Sequence, residues 1–296
     1  MESLHSVKRI ALFSSYFESP RIPSYVFFYL SQLRLHVETL VYITTDDKEL
    51  VREDVERLRL HVDDIVQVQN SGYDFGMWQK ILPKYDVLNH YDELCLVNDS
   101  CVCIGSLSPY FEWHNATSAD VTSMTLSYEA GRHAQSFFLC VKKPALGAVV
   151  CYLDDLVLHD SSFEQVIFFG ELGLSQMLQE RSFTIQGFYE MPVSDRTNPM
   201  YSRCIDIVRA GVPFVKKKLF SRYSSPMIKQ LLNRKSSWHH EAMIDEVRSQ
   251  TQLSEEMIQE LFAWRIPYRM GMKERFRIVR LCVEQKITFF FKKFNQ

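Results

Sequence analysis

The run Leu94-Cys-Leu-Val97 is apolar at consecutive positions and then stops abruptly in Asn98-Asp99-Ser100. A strand with one wet face alternates apolar and polar side chains, so an unbroken run fits a central strand covered on both faces. The chain before it supplies the neighbours such a strand needs. Arg9-Ile-Ala-Leu-Phe-Ser14, Leu40-Val-Tyr-Ile-Thr44 and Ile65-Val-Gln-Val-Gln69 read as three earlier strands. Between them Ser24 is placed to cap a helix with Val26, Phe27, Leu30 and Leu33 on one face, and Asp46 or Asp47 to cap a second. This β-α-β-α-β rhythm predicts an α/β protein with a parallel, doubly wound sheet. Ligands of such sheets bind outside the carboxyl ends of the strands, where Asn98, Asp99 and Ser100 fall.

Further along, a helix follows the turn Gln69-Asn70-Ser71-Gly72-Tyr73-Asp74-Phe75-Gly76-Met77-Trp78 and runs through about Leu82. Residues 120–128 and 136–142 read as strands, 144–158 and 168–181 as helices, and 183–189 as a strand. From about Tyr201 the pattern predicts helices only, joined by a basic loop at Lys216-Lys-Lys218. A boundary near residue 200 is expected, dividing 1–200 from a helical region 201–296.

Composition narrows the class. With 46% hydrophobic and 24% charged residues the chain suits a globular protein, and a net charge of -2 gives no case for nucleic acid as a partner. Its seven cysteines show no Cys-x-x-Cys spacing, so reduced thiols and a cytoplasmic location are expected. The N-terminal stretch reads as a first strand better than as a signal peptide, and no window reaches the roughly 18 apolar residues of a membrane span.

Four places carry candidate chemistry. A carboxylate at Asp99 suits Mg²⁺ or Mn²⁺, which prefer oxygen donors shared with phosphate; alternatively Asn98-Asp99-Ser100 is a polar turn. Glu171 is a single acid between Val166-Ile-Phe-Phe169 and Leu172, so desolvation should raise its pKa toward the range useful to a general base; alternatively it is a first-turn helix acid. Arg132-His133-Ala134-Gln135-Ser136 precedes an apolar strand and could present a face to sugar hydroxyls, whereas His159, His239 and His240 lack partners at ligand spacing. The segment that begins at Lys273 and ends at Gln296 mixes basic and aromatic residues, which fits either a helix docked on its own domain or one lying on an anionic membrane surface.

In order along the chain, SSYFESPRIPSYVFFYLSQL, NSGYDFGMWQKIL, YDELCLVNDSC, HAQSFFLCVKK, FGELGLSQML and GVPFVKK resemble segments of the rhamnan-synthesis F-type family of bacterial glycosyltransferases. The resemblance implies a GT-A-like nucleotide-sugar-binding fold with a mostly parallel sheet. It also implies an inverting enzyme of surface polysaccharide assembly, cytoplasmic or peripheral at the inner membrane face. Such an enzyme moves a sugar, typically L-rhamnose from a dTDP donor or another from a UDP-sugar, onto a lipid-linked glycan. On that analogy Glu171 is the catalytic base, Asn98, Asp99 and Ser100 stand beside the diphosphate with a divalent cation on Asp99, and Ser14, Ser15 and Thr44 lie near the nucleotide. Arg132, His133, Gln135 and Ser136 would face the acceptor or sugar.

The turn before Trp78 then becomes a wall of the donor pocket. Gly72 and Gly76 would let the backbone approach the ligand, Asn70 and Asp74 would hydrogen-bond it, and Tyr73 or Trp78 would stack on it. Two departures from the family pattern, Val102-Cys103-Ile104 and Asp120-Val-Thr-Ser123, flank the pocket and leave donor and acceptor open. They also keep a second reading in view, a non-catalytic subunit that binds glycan or nucleotide sugar within an assembly complex.

Overall fold

A computed structural model describes residues 7–158, 161–221 and 240–263. Ten strands are present among them: β1 Arg9–Ser14, β2 Thr39–Thr45, β3 Asp64–Val68, β4 Glu93–Asn98, β5 Cys101–Cys103, β6 Val121–Ser127, β7 His133–Ala134, β8 Phe138–Lys142, β9 Ile185–Glu190 and β10 Phe214–Lys216. The main sheet has eight strands in the order β3-β2-β1-β4-β8-β6-β7, with β9 also on β6. β1 pairs in parallel with β2 and β4, β2 with β3, and β6 with β9. This is an α/β fold with a mostly parallel sheet, as the alternation of strands and helices predicts.

Every residue of β4 is buried, as its unbroken apolar run requires. Its second neighbour, β8, runs antiparallel to both β4 and β6. The short stretch between β6 and β8 explains the reversal: a parallel return needs a crossover of a dozen or more residues, whereas antiparallel strands need only a turn. Helices α1 (Ser24–Arg34), α2 (Arg52–Leu58) and α3 (Tyr73–Tyr85) connect the first four strands. Beneath the sheet, Phe75, Trp78, Ile81 and Leu82 of α3 pack with Ile10, Leu12, Leu94 and Leu96 and with the helix Lys143–Asp154.

The helix starts differ from expectation. Pro23 occupies the N-cap of α1, and the backbone N–H of Ser24 donates to Glu260 Oε2 at 3.0 Å, so a carboxylate distant in sequence does the capping. Val51, not Asp46 or Asp47, precedes α2, and Asp54 in its first turn is buried because it accepts the N–H of Ile22 at 2.9 Å.

The chain after residue 200 is not helical throughout. β10 pairs antiparallel with β5, placing Phe214 opposite Cys103 and Lys216 opposite Cys101. The expected boundary near residue 200 does not separate compact units, since a single unit runs over Met1–Ala263. The helices His240–Gln250 and Glu255–Ala263 belong to it, and Arg209 pairs with Glu246 at 2.7 Å. Among the described residues no helix is long and apolar enough to cross a membrane. The basic segment from Lys273, together with His159, His239 and the side chain of His240, lies outside the described residues.

Candidate active site

The carboxyl ends of β1, β2 and β4 bring Ser14, Ser15, Thr44, Asn98 and Asp99 together, all buried. Ser15 Oγ donates to the Tyr42 hydroxyl at 2.5 Å and Ser14 Oγ to the Val97 carbonyl at 3.4 Å, so both hydroxyls serve the sheet ends. Beside β1 and β2 a shallow surface depression, with room for little more than one water molecule, is lined by Phe17, Ile22, Thr44, Thr45, Lys48 and Leu50 among others.

Gly72 enters α3 at φ +74°, and Tyr73 follows at φ 54°, a left-handed pair that turns the chain from β3 into the helix. The packing of the protein by itself requires both glycines. A Cβ on Gly76 would lie 2.0 Å from the Ser71 carbonyl oxygen, and one on Gly72 would lie 2.8 Å from Leu158 Cβ. Trp78 is likewise a core residue, fully buried with Nε1 donating to the Leu12 carbonyl at 3.1 Å, so stacking on a ligand is excluded for it. Tyr73 is 46% exposed and meets the Phe163 ring edge-on at 5.6 Å, while Asn70 is exposed on the preceding loop.

The turn does deliver Asp74 to the end of β4. Asn98 Nδ2 donates to Asp74 Oδ2, and Asn98 Oδ1 in turn accepts the Ser100 N–H at 3.0 Å. Burial pushes the Asp74 carboxyl up to about 6; the Asn98 hydrogen bond opposes that rise and the negative charge of Glu171 adds to it.

Glu171 sits in a π-helical turn, Val166–Leu172, a conformation that is rare and often found at functional sites. Gly170 makes the turn fit, since a Cβ there would be 2.9 Å from the Phe75 ring of α3. Ser136 gives Glu171 Oε2 both its N–H, at 2.7 Å, and its hydroxyl, at 2.6 Å, and His133 Nε2 lies 3.5 Å from Oε1. The expected rise in its pKa is therefore corrected. Burial does push this carboxyl up, but the His133 bond and charge and the two Ser136 donors outweigh it, leaving Glu171 below the usual range. For His133 burial works downward and Glu171 more than reverses it, so the imidazole titrates above its ordinary value. Its Nδ1 faces the Gly131 carbonyl at 2.9 Å.

Two neighbours of His133 point elsewhere. The Arg132 guanidinium donates to the Ile185 carbonyl at 2.7 Å and faces Glu190 at 3.6 Å, which ties it to β9. Gln135 is buried, accepting from Thr125 Oγ1 at 2.7 Å, so it braces β6 and does not meet a sugar.

Three site residues escaped the sequence reading. Burial raises the carboxyl of Glu129, which bonds Asn198 and feels the charges of His133, Glu171 and Lys216. Lys217 Nζ donates to Asp99 Oδ2 at 2.9 Å, and Lys216 Nζ to Ser100 Oγ at 3.1 Å. The apolar Val212-Pro-Phe-Val215 run ahead of the lysines is too short and proline-broken to mark β10 in the sequence. The donor set is poor for a divalent cation: Asp99 already carries an ammonium, and among the described residues no three His, Cys, Asp or Glu side chains are placed to hold a metal ion.

The sequence profile of the rhamnan synthesis protein F family matches residues 41–278. No curated protein sequence matches the chain. Among solved structures it is similar to a putative nucleotide-diphospho-sugar transferase from Desulfovibrio desulfuricans G20, at 11% identity and TM-score 0.40 over 82% of this chain and 98% of that one. It is also similar to the glycosyltransferase GlyE of Streptococcus pneumoniae TIGR4, at 11% identity and TM-score 0.39 over 84% of this chain and 66% of that one. A third is 4-diphosphocytidyl-2C-methyl-D-erythritol synthase from Anaerococcus prevotii DSM 20548, at 10% identity and TM-score 0.41 over 69% and 96%.

Proposed function

The chain belongs to the rhamnan synthesis protein F family, and on that premise we propose that it is an inverting glycosyltransferase of surface polysaccharide assembly. Its donor would be a nucleotide-diphosphate sugar, dTDP-L-rhamnose first among them, and its acceptor a lipid-linked glycan met at the inner membrane face. The observation that supports this most is the meeting of Asp74, Asn98, Glu171, His133 and Ser136 at the carboxyl end of β4.

Inversion at an anomeric carbon needs one carboxylate to take the proton of the acceptor hydroxyl as its oxygen attacks. We move that role from Glu171 to Asp74. A carboxylate already held by two Ser136 donors and His133 is a weak base, whereas one pushed up to about 6 accepts a proton more readily near neutral pH. Glu171 becomes a positioning residue that fixes His133 and Ser136 toward the sugar. The deciding experiment measures nucleoside diphosphate release from dTDP-, UDP- and GDP-sugars with and without glycan acceptors. Acceptor-dependent release is expected from one of them; binding without release under any combination would favour the non-catalytic subunit.

A further inference from the structure

A divalent ion held by one or two carboxylates is a common way to neutralise a substrate's phosphates, yet here the acid at the end of β4 faces a lysine. Resting on the reading of the site as a nucleotide-sugar pocket, we propose that Lys216 and Lys217 hold the donor diphosphate directly, so that binding needs no divalent cation.

The lysines are built into place. β10 pairs with β5 so that Lys216 stands opposite Cys101, and the Lys217 N–H donates to the Ser100 carbonyl at 3.1 Å. Their ammonium groups therefore stay near the end of β4 instead of sweeping through water, and little side-chain freedom remains to be lost on binding. Lys217 Nζ lies on an oxygen of Asp99 that a metal ion would otherwise take. An ammonium carries three N–H donors, so a bond to Asp99 does not by itself bar Lys217 from a phosphate oxygen, which would compete with its other partners.

Position also favours phosphate. The Lys217 ammonium is 4.5 Å from the centre of the Phe17 ring, and Phe17 lines the depression with Thr44, Thr45 and Lys48. Asp74 is bonded to Asn98 and Glu171 to Ser136, so both acids border the end of β4 as well. A donor laid over the carboxyl ends of β1, β2 and β4 with its sugar beside Asp74 would bring its diphosphate against Asp99, Ser100 and the two lysines. Charge developing on the departing diphosphate would meet two fixed cations there. Asp99 in this arrangement orients Lys217 and does not ligate a metal.

The test is binding, read by calorimetry on the full chain with dTDP, UDP and GDP as probes, in Mn²⁺ and again in EDTA. Wild type is expected to bind a diphosphate with the same affinity in both buffers. Lys217→Met and Lys216→Met should each weaken that binding about tenfold or more, since each removes a charge-assisted bond. Affinity for the matching nucleoside should change less than about twofold, and Lys217→Arg should retain most of the diphosphate affinity. The nucleoside control separates lost phosphate contacts from a misfolded variant. Affinity that appears only with Mn²⁺, or methionine variants that bind like wild type, would overturn the lysine clamp while leaving the nucleotide-sugar pocket intact. Wild type that binds no diphosphate in either buffer would overturn the pocket and the clamp together.

Discussion

Ser136 donates both its backbone N–H and its hydroxyl to one oxygen of Glu171, at 2.7 and 2.6 Å. The geometry keeps the carboxylate ionised, and the opposite oxygen keeps His133 protonated to a higher pH than a free imidazole. Because the folded pKa of His133 is raised, its contribution to stability is complete below the unfolded value and is lost as pH rises through the folded one. The depressed Glu171 works at the other end, its contribution being lost only as pH falls below the ordinary carboxylate range. Wild type should therefore lose some of its advantage over Glu171→Gln as pH rises through and above the ordinary imidazole range. Melting temperatures of both proteins across that interval check this; parallel curves would show that the pair is not coupled to folding.

Asp74 is expected to behave as the proton acceptor. With its carboxyl pushed up to about 6, kcat/KM should fall on the acid side with an apparent pKa near that value. Asp74→Asn should lower kcat by roughly 10²–10⁴ while changing diphosphate affinity little. Stability should hold or improve above about pH 7, because the amide removes a buried charge while its side-chain oxygen can still accept from Asn98. Glu171→Gln should instead move KM more than kcat, as suits a positioning residue. An unchanged acid limb in Asp74→Asn would return the base role to another group.

Gly76 and Trp78 should report on folding alone. Alanine at 76 would drive a Cβ to 2.0 Å from the Ser71 oxygen, so the first turn of α3 must shift at a cost of about 1–3 kcal/mol. Trp78→Ala empties a fully buried site and removes the bond to Leu12, for about 3–5 kcal/mol. Urea unfolding measures both. In the fraction still folded, diphosphate affinity should match wild type; a loss of affinity at unchanged stability would mean that this face of the turn meets the donor after all.

The features of the site that were legible in the sequence are those written into local pattern. β4 announced itself because burial on both faces demands consecutive apolar residues, and Asn98 and Asp99 marked its end. Asp74, Glu171, His133 and Ser136 were visible as polar residues at element ends, though their mutual bonds were not, since 35 residues separate Ser136 from Glu171. The lysine strand was opaque for the same reason. Three residues of β10 carry too little periodicity to show a strand, and its partner β5 lies more than a hundred positions earlier, as the 118-residue gap between Asp99 and Lys217 shows. Trp78 and Gly76 were misread in the opposite sense, because an aromatic or a glycine in a turn looks the same whether it faces a ligand or its own core.

Arg9 and Glu93, at the opposite end of the strands from the site, carry the sharpest prediction about stability. Their side chains meet inside the protein, Arg9 Nε donating to Glu93 Oε2 at 2.6 Å, and His114 Nε2 reaches the same oxygen at 2.9 Å. Arg9 also donates to the His36 carbonyl at 2.7 Å and to Asn115 Oδ1 at 3.0 Å, so the guanidinium ties the starts of β1 and β4 to two connections. Burial pushes the Glu93 carboxyl up, yet His114 and Arg9 together hold it below the ordinary range. Removing Arg9 alone leaves a buried carboxylate short of its counter-charge, which typically costs about 3–5 kcal/mol. Replacing both partners by apolar residues of similar volume removes the charge as well as its partner, and is often near neutral. Arg9→Met should therefore unfold at much lower urea than wild type, and the Arg9→Met, Glu93→Leu double variant should recover much of that loss. If the two changes merely add, the pair is not interacting as its geometry requires.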